Sequence, residues 1–389
     1  MSTGAQTKLR ERLKRNRFVR ALWRRRLVRG TWRRVKVAAG LVRWNFRAFS
    51  GLAAVSNSAD ERRLLVIYDF ASQPFSIGDI LVIQEASLVV RQAAGIDRVD
   101  LAFVYDPASP VIPDPAFAHI NPENFLWHLP TVLQAAQVNP YLGSVFLFDS
   151  HRRLDEFASG NLHRYDIWPP LSQYASREYL YYSVMSELLF DHFNREQSLP
   201  RLESRGPAKN WAKTFLKRVA GSDVVVTVQL RKNPVNPERD SDYASWISFF
   251  NSCQGRYPVK FVVICSQQEV DPGLRQCSNV IVAKDHWTSV EQDLALINAA
   301  AMHMGASSGP GMLAIFSDKP YCLFNTDVQV HRYRGSTQDG NRVTLYFGSP
   351  TQSLLFGAET ADVIAFEFER MWKSIARSHA DDDPGTIKA

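Results

Sequence analysis

The chain predicts an α/β protein: two Rossmann-like domains facing a cleft, preceded by a basic amphipathic helical arm. Short unbroken apolar runs such as LLVIYDF (Leu64–Phe70) and DVVVTVQL (Asp223–Leu230) read as strands buried on both faces, the mark of parallel sheets. Helical periods follow these runs, and the alternation restarts once after a polar break. Charge divides the chain as well. Residues 1–48 carry 16 of the 46 Lys and Arg and one acid, Glu11, leaving 30 basic and 38 acidic residues beyond them, a net of −8.

In the arm, Val28, Trp32, Val35, Ala39, Val42, Phe46 and Phe49 fall at alternating steps of four and three, one stripe of a helix. Arg29, Arg33, Arg34, Lys36, Arg43 and Arg47 occupy much of the rest. A cationic helix with Trp and Phe on its apolar side suits a membrane interface, where each basic residue near an anionic leaflet contributes about 1 kcal/mol. Trp23, Trp32, Arg33, Arg34, Trp44 and Phe46 are the expected membrane contacts. Arginine-rich nucleic-acid binding, an organelle presequence and a solvated tail are the other readings, and nucleic acid is the less expected partner. No apolar run approaches the roughly 20 residues that span a bilayer. Arginines interrupt every N-terminal apolar cluster, so no signal-peptide core is expected. Cys253, Cys265, Cys277 and Cys322 show neither CxxC spacing nor His-rich neighbours, which points to a reduced, cytosolic setting without a metal site.

The segmentation expected is an arm and linker over 1–58, a first domain over 59–200, a linker over 201–218, a second domain over 219–355 and a terminal helix with a disordered tail over 356–389. The first domain begins with the strand at Leu64–Phe70, a helix over Asp79–Gly95 and strands at Val99–Asp106 and Gly143–Asp149. Asn121 and Pro122 read as the cap and first residue of an intervening helix. Ser176–Glu196 reads as a long closing helix. The second domain offers strands at Asp223–Leu230, Val259–Cys265, Asn279–Ala283, the MHMG run and Pro320–Asn325. Its helices are Asp242–Cys253, one opened by a capping box of Thr288 and Glu291, and Pro310–Phe316. The last helix, about Thr360–Arg377, is expected to cross back onto the first domain.

Ligands of open α/β sheets bind beyond the carboxyl ends of strands, and four segments of the second domain land there. Arg231 and Lys232 follow an apolar strand, where a guanidinium forms bidentate bonds to phosphate or simply pairs on the surface. Asp240–Ser241–Asp242 matches a D-x-D metal spacing, but an acid before YASWISFF is also what a helix cap demands, and the cap is favoured. Asp293 either answers a helix dipole or binds a nucleotide. Ser307, Ser308, Gly309 and Gly311 open a helix, so the loop is either an anion cradle or a tight turn. In the first domain Gly78 and Asp79 make a Gly-Asp turn, with Asp79 a catalytic base or a cap, and Glu85 is a second catalytic candidate.

In this order VTVQLRKN, ERDSDYASWISFF, VKFVVIC and SVEQDLALINAAAMHMGASSGPGMLAIFSDKPYCLFN resemble the donor domain of GT-B glycosyltransferases, in the fucosyltransferase-like and bacterial surface-polysaccharide branches. The resemblance covers roughly residues 222–326. It implies that Arg231 contacts the donor diphosphate, that Asp293 binds the nucleotide and that Ser307 to Gly311 bind phosphate. Gln229 stands where the family often has His. SIGDILVIQEA resembles the Gly-Asp turn of heptosyltransferase-type enzymes of the same fold, which implies Asp79 as general base. The function implied is a metal-independent, inverting glycosyltransferase that needs no cofactor and takes a nucleotide-sugar donor. Its acceptor would be a glycan or lipid-linked glycan of bacterial surface polysaccharide or lipopolysaccharide, met peripherally at the cytoplasmic face of the plasma membrane. A GT-B-like binding protein without catalysis and a polyanion-binding protein acting through the arm are the alternatives.

Overall fold

The computed structural model describes residues 61–107, 120–169, 187–233, 237–326 and 335–382. The arm, with Trp23, Trp32, Arg33, Arg34, Trp44 and Phe46, lies outside the described residues, as does most of the expected helix over 176–196.

The first half runs β1 (Arg63–Asp69), α1 (Ile77–Ala94), β2 (Arg98–Val104), α2 (Phe125–Ala135), β3 (Leu142–Phe148), α3 (His151–Gly160) and β4 (Tyr165–Trp168). Its four strands lie in the order β3-β2-β1-β4 and pair in parallel throughout. Every residue of β1 is buried, as a strand covered on both faces requires. β4 was not foreseen; at a sheet edge, three of its four residues are half-buried and Asp166 is exposed, so it carries little pattern.

α4 (Leu189–Glu196) and α5 (Gly206–Ala220) lead into the second half. Much of the polar stretch expected as linker over 201–218 is therefore helix. Ala208, Ala212, Phe215, Leu216 and Ala220 form its buried stripe, while lysines on the other face give it a linker's composition.

Next come β5 (Val224–Gln229), α6 (Tyr243–Cys253), β6 (Val259–Ile264), β7 (Val280–Val282), α7 (Val290–Ala299), β8 (Met302–Ala306), α8 (Gly311–Ile315) and β9 (Tyr321–Phe324). β10 (Thr337–Asp339), β11 (Arg342–Thr344), β12 (Gln352–Leu355) and α9 (Ala361–Asp382) complete the chain. The sheet order is β10-β11-β12-β9-β8-β5-β6-β7; β10, β11 and β12 join by antiparallel pairing, and β12 then pairs in parallel with β9.

Three local expectations shift. The capping box on α7 uses Ser289 and Gln292, not Thr288 and Glu291: Gln292 N donates to Ser289 Oγ at 3.2 Å and Ser289 N to Gln292 Oε1 at 2.9 Å. Asn121 caps a turn rather than a helix, its Oδ1 accepting from Glu123 N and Asn124 N, and α2 starts only at Phe125. The terminal helix does not return to the first half. Ile364, Phe368 and Met371 pack into the aromatic core of the second half, with the Phe368 ring 5.4 Å from Phe249 and 5.8 Å from Phe261. Each such side chain contributes about 1.5–3 kcal/mol by burial, so the helix stays on its own sheet. No described helix is long and apolar enough to cross a membrane.

Candidate active site

The start of α1 meets the loop between β8 and α8. A Cβ built on Gly78, at the start of α1, would lie 3.2 Å from Gly309 Cα, in the loop between β8 and α8. A Cβ on Gly309 would lie 2.9 Å from both Gly78 N and Ile77 Cβ. Two glycines thus let backbone meet backbone, placing the Gly-Asp turn of one half against the serine loop of the other.

Asp79 is the next residue. Ser76, not Asp79, is the helix cap: its Oγ accepts from Asp79 N at 3.2 Å and donates to Asp79 Oδ2 at 2.6 Å. Asp79 therefore stands in the first turn of α1, where the helix dipole favours its negative form. Glu85 is different. It is fully buried, neither carboxyl oxygen has a partner among the described residues, and burial pushes its carboxyl well above the usual range, with Arg201 opposing. A group with no exposed surface cannot meet an acceptor, so the structure removes Glu85 from the catalytic candidates.

In the second half, Gln229 ends β5 with its amide donating to Leu230 O at 3.1 Å, while its buried Oε1 has no partner among the described residues. Arg231 donates to Asp240 Oδ1 at 2.6 Å, and its backbone N–H donates to Ser241 Oγ at 3.2 Å. Asp242 caps α6, its Oδ1 accepting from Ala244 N and Ser245 N. The two acids of the D-x-D match are thus engaged by an arginine and by a helix end. Lys232 has an exposed side chain and donates its backbone N–H to Glu269 at 3.0 Å.

Arg239 escaped the sequence reading although it lies inside ERDSD. Its guanidinium donates to Ser307 O, over the serine loop. The loop itself is pinned by Ser307 N donating to Phe324 O at 2.8 Å and Gly311 N donating to Ser308 O at 3.1 Å. Ser308 Oγ is buried with no hydrogen-bond partner among the described residues. Such a hydroxyl costs about 1–3 kcal/mol unless something satisfies it.

Asp293 is withdrawn into its own half. Its Oδ2 accepts from Lys284 Nζ at 2.5 Å and its Oδ1 from Thr288 Oγ1 at 2.5 Å, and only 5% of the residue is exposed. Burial raises its pKa while Lys284 opposes the rise. Both oxygens are occupied, so the nucleotide-binding role implied by resemblance would require this network to open.

Glu359 also escaped the sequence reading. Its Oε2 accepts from Asp242 N at 2.7 Å, and burial pushes its carboxyl from the usual 4.5 up to about 7. The folded chain therefore holds this proton more tightly than the unfolded chain. The resulting stabilisation is complete below pH 4.5 and is lost as pH rises through about 7, on the order of 3 kcal/mol. Glu359→Gln is expected to flatten that decline and exceed the native chain in stability at pH 8; urea unfolding at pH 5 and pH 8 measures both slopes.

Cavities of 390 and 460 Å³ that share Lys213, Ala299 and Lys319 open elsewhere, at the amino ends of β5, β8 and β9. At the carboxyl edge the arrangement is two guanidiniums, Arg231 and Arg239, with the serine loop and its buried hydroxyl. That chemistry suits a phosphorylated ligand.

Among protein-family models and curated proteins, none matches the chain. Solved structures similar to it include a glycosyl transferase family 9 protein from Veillonella parvula, 13% identical over 80% of this chain and 89% of that one, with a TM-score of 0.47. The E. coli ADP-heptose lps heptosyltransferase II is 11% identical over 81% of this chain and 99% of its own, with a TM-score of 0.49. The fucosyltransferase NodZ from Bradyrhizobium is 13% identical over 69% of this chain and 96% of its own, with a TM-score of 0.30.

Proposed function

We propose that the chain is a glycosyltransferase that moves a sugar from a nucleotide-sugar donor to a glycan or lipid-linked acceptor. The observation that carries this reading is the buried Ser308 hydroxyl, without a hydrogen-bond partner among the described residues, in a loop crossed by Arg239 on the sheet edge that also presents Arg231. A diphosphate would satisfy that hydroxyl and draw both guanidiniums, and it is the group whose charge grows as the sugar leaves. The acceptor hydroxyl attacks the anomeric carbon from the side opposite the diphosphate and gives its proton to a base on the first half, with inversion. Asp79 is our candidate for that base, a reading supported by its place beside the Gly78–Gly309 contact. No step of this scheme calls on a metal.

Thermal-shift titration against GDP, UDP, ADP and CMP tests the reading. One nucleotide is expected to raise the melting temperature by several degrees, and a chain indifferent to all four would refute it. The cationic, tryptophan-bearing segment 1–48 supports an acceptor met at an anionic membrane surface, as a lipid-linked precursor of bacterial surface polysaccharide would be. Full-length protein is expected to float with anionic liposomes and protein lacking residues 1–48 to sediment; equal behaviour would sink the membrane assignment.

A further inference from the structure

The two cavities at the amino ends of β5, β8 and β9 take no part in the reading above. They hold 390 and 460 Å³ and share Lys213, Ala299 and Lys319 as walls. The three strands run parallel, and β5, with six residues, sets this edge about 16–20 Å from the edge that bears the serine loop. Charge in the lining is unbalanced. Arg201 pairs with Asp318, and Lys209 with Glu203 at 3.0 Å. Lys213, Lys217 and Lys319 have no carboxylate partner among the described residues, and Asp223 is the one acid of the lining without a cation there. Three unpaired cations against one unpaired carboxylate leave a surplus of two positive charges.

Lys319 is half-buried just before β9, and its ammonium donates to Ala300 O, a neutral carbonyl, with further N–H donors unused. Burial lowers its pKa from the usual 10.5, as for an ammonium held out of water with nothing negative to offset it. Lys213 stands on α5 one turn after Lys209 and one turn before Lys217, a spacing at which like charges repel. The helix dipole accounts for Lys217 in the last turn but not for Lys213 at mid-helix. A solvated helix face would explain Lys213 by itself, but not an inward ammonium lining the same two cavities. Asn298 adds a fixed donor: its Oδ1 accepts from both N and Oγ of Ser204 at 2.8 Å, so its amide nitrogen points the other way, with no partner among the described residues. Leu202, Ala295 and Ala299 supply an apolar wall. The cavity also borders the chain crossing between the halves, where Glu203 N donates to Val138 O of the first half at 2.7 Å and Ser204 donates to Asn298 of the second.

We propose that these joined cavities are a second ligand site, separate from the donor site, that takes a small molecule bearing a phosphate monoester, such as a sugar phosphate. A phosphate monoester carries about −1.5 to −2 charges near neutral pH, which matches the surplus. The phosphate sits between Lys213 and Lys319, and the carbon skeleton lies along Leu202 and Ala295 within reach of the Asn298 amide. The headgroup of phosphatidic acid shares this chemistry, but the recessed Lys319 and Asn298 favour the free ester.

This site stands independently of the glycosyltransferase reading. Titration calorimetry on the full chain uses glucose 6-phosphate and ribose 5-phosphate, with glucose as the uncharged control. A sugar phosphate is expected to bind and glucose not. Lys213→Glu changes an exposed side chain and is expected to weaken binding at least about tenfold, the loss of one charge-assisted hydrogen bond. Lys319→Met is expected to do the same; where it folds poorly, Lys217→Glu takes its place. Arg231→Ala, at the opposite edge, is expected to change the affinity less than twofold. Flotation with vesicles of phosphatidylcholine and phosphatidic acid is expected to be equal for Lys213→Glu and the native chain. A native chain indifferent to both sugar phosphates overturns the proposal, as does a loss that follows Arg231→Ala and spares Lys213→Glu. Flotation lost in Lys213→Glu, with no response to the free esters, assigns the lysines to a lipid surface and overturns it too. A chain that binds a sugar phosphate here but no nucleotide keeps this site and loses the glycosyltransferase reading.

Discussion

Arg231→Ala is expected to weaken binding of the donor nucleotide by two orders of magnitude or more. The guanidinium follows β5 on the same edge as the serine loop, and its ion pair with Asp240 keeps it mostly buried, with 12% of the side chain exposed. A charge-assisted hydrogen bond to phosphate contributes about 1.5–3 kcal/mol, and a bidentate pair approaches twice that. Each 1.4 kcal/mol is a factor of ten in affinity. Titration calorimetry with the nucleotide found by thermal shift measures the loss directly. Asp240 still accepts from Asn233 N at 2.9 Å, so the loop keeps one of its ties without the arginine. Asp240→Asn, which leaves the guanidinium in place, is the control and should cost far less. An unchanged affinity in Arg231→Ala would end the assignment of this residue.

Gly305→Ala is expected to carry the largest stability loss, about 4 kcal/mol or more. Gly305 has φ +129 and sits opposite Gln229 in the β5–β8 pair. A Cβ there would lie 2.1 Å from the Gln229 carbonyl oxygen and 2.6 Å from its nitrogen. Both are backbone atoms in the centre of an eight-stranded sheet, so neither can swing aside. Relief would require parting β5 from β8, and those two strands end in the residues of the candidate site. Urea unfolding of the variant is the measurement; a loss below about 1 kcal/mol would show that the sheet yields more readily than its geometry allows.

The sheets were legible because their central strands are continuous apolar runs: β1, β5 and β6 declare themselves without help from the fold. Elements at the margins did not. β10 and β11 have three residues each, too few to establish a period, and the buried β12 is a bare four-residue run. The sequence TSVEQ satisfies the capping pattern twice, one residue apart, and only the fold selects Ser289. At the site, Arg231 and the serine loop could be located from strand ends. Asp293 was located too, but its engagement by Lys284 and Thr288 depends on a turn nine residues upstream. Glu85 and Glu359 show the general limit: a carboxylate on a helix or in a loop looks the same in sequence whether it is wet or sealed.

The meeting of Gly78 and Gly309 has a consequence for inheritance. Each residue constrains the other, because a methyl group on Gly309 would come within 2.9 Å of Gly78 N and one on Gly78 within 3.2 Å of Gly309 Cα, a tight contact. Descent should therefore treat the pair as a single character, held or lost together. Among relatives, a side chain at one position predicts either a shortened loop or a displaced helix at the other. Chains that keep both glycines have kept the same seam, and with it the same spacing between the two sheets.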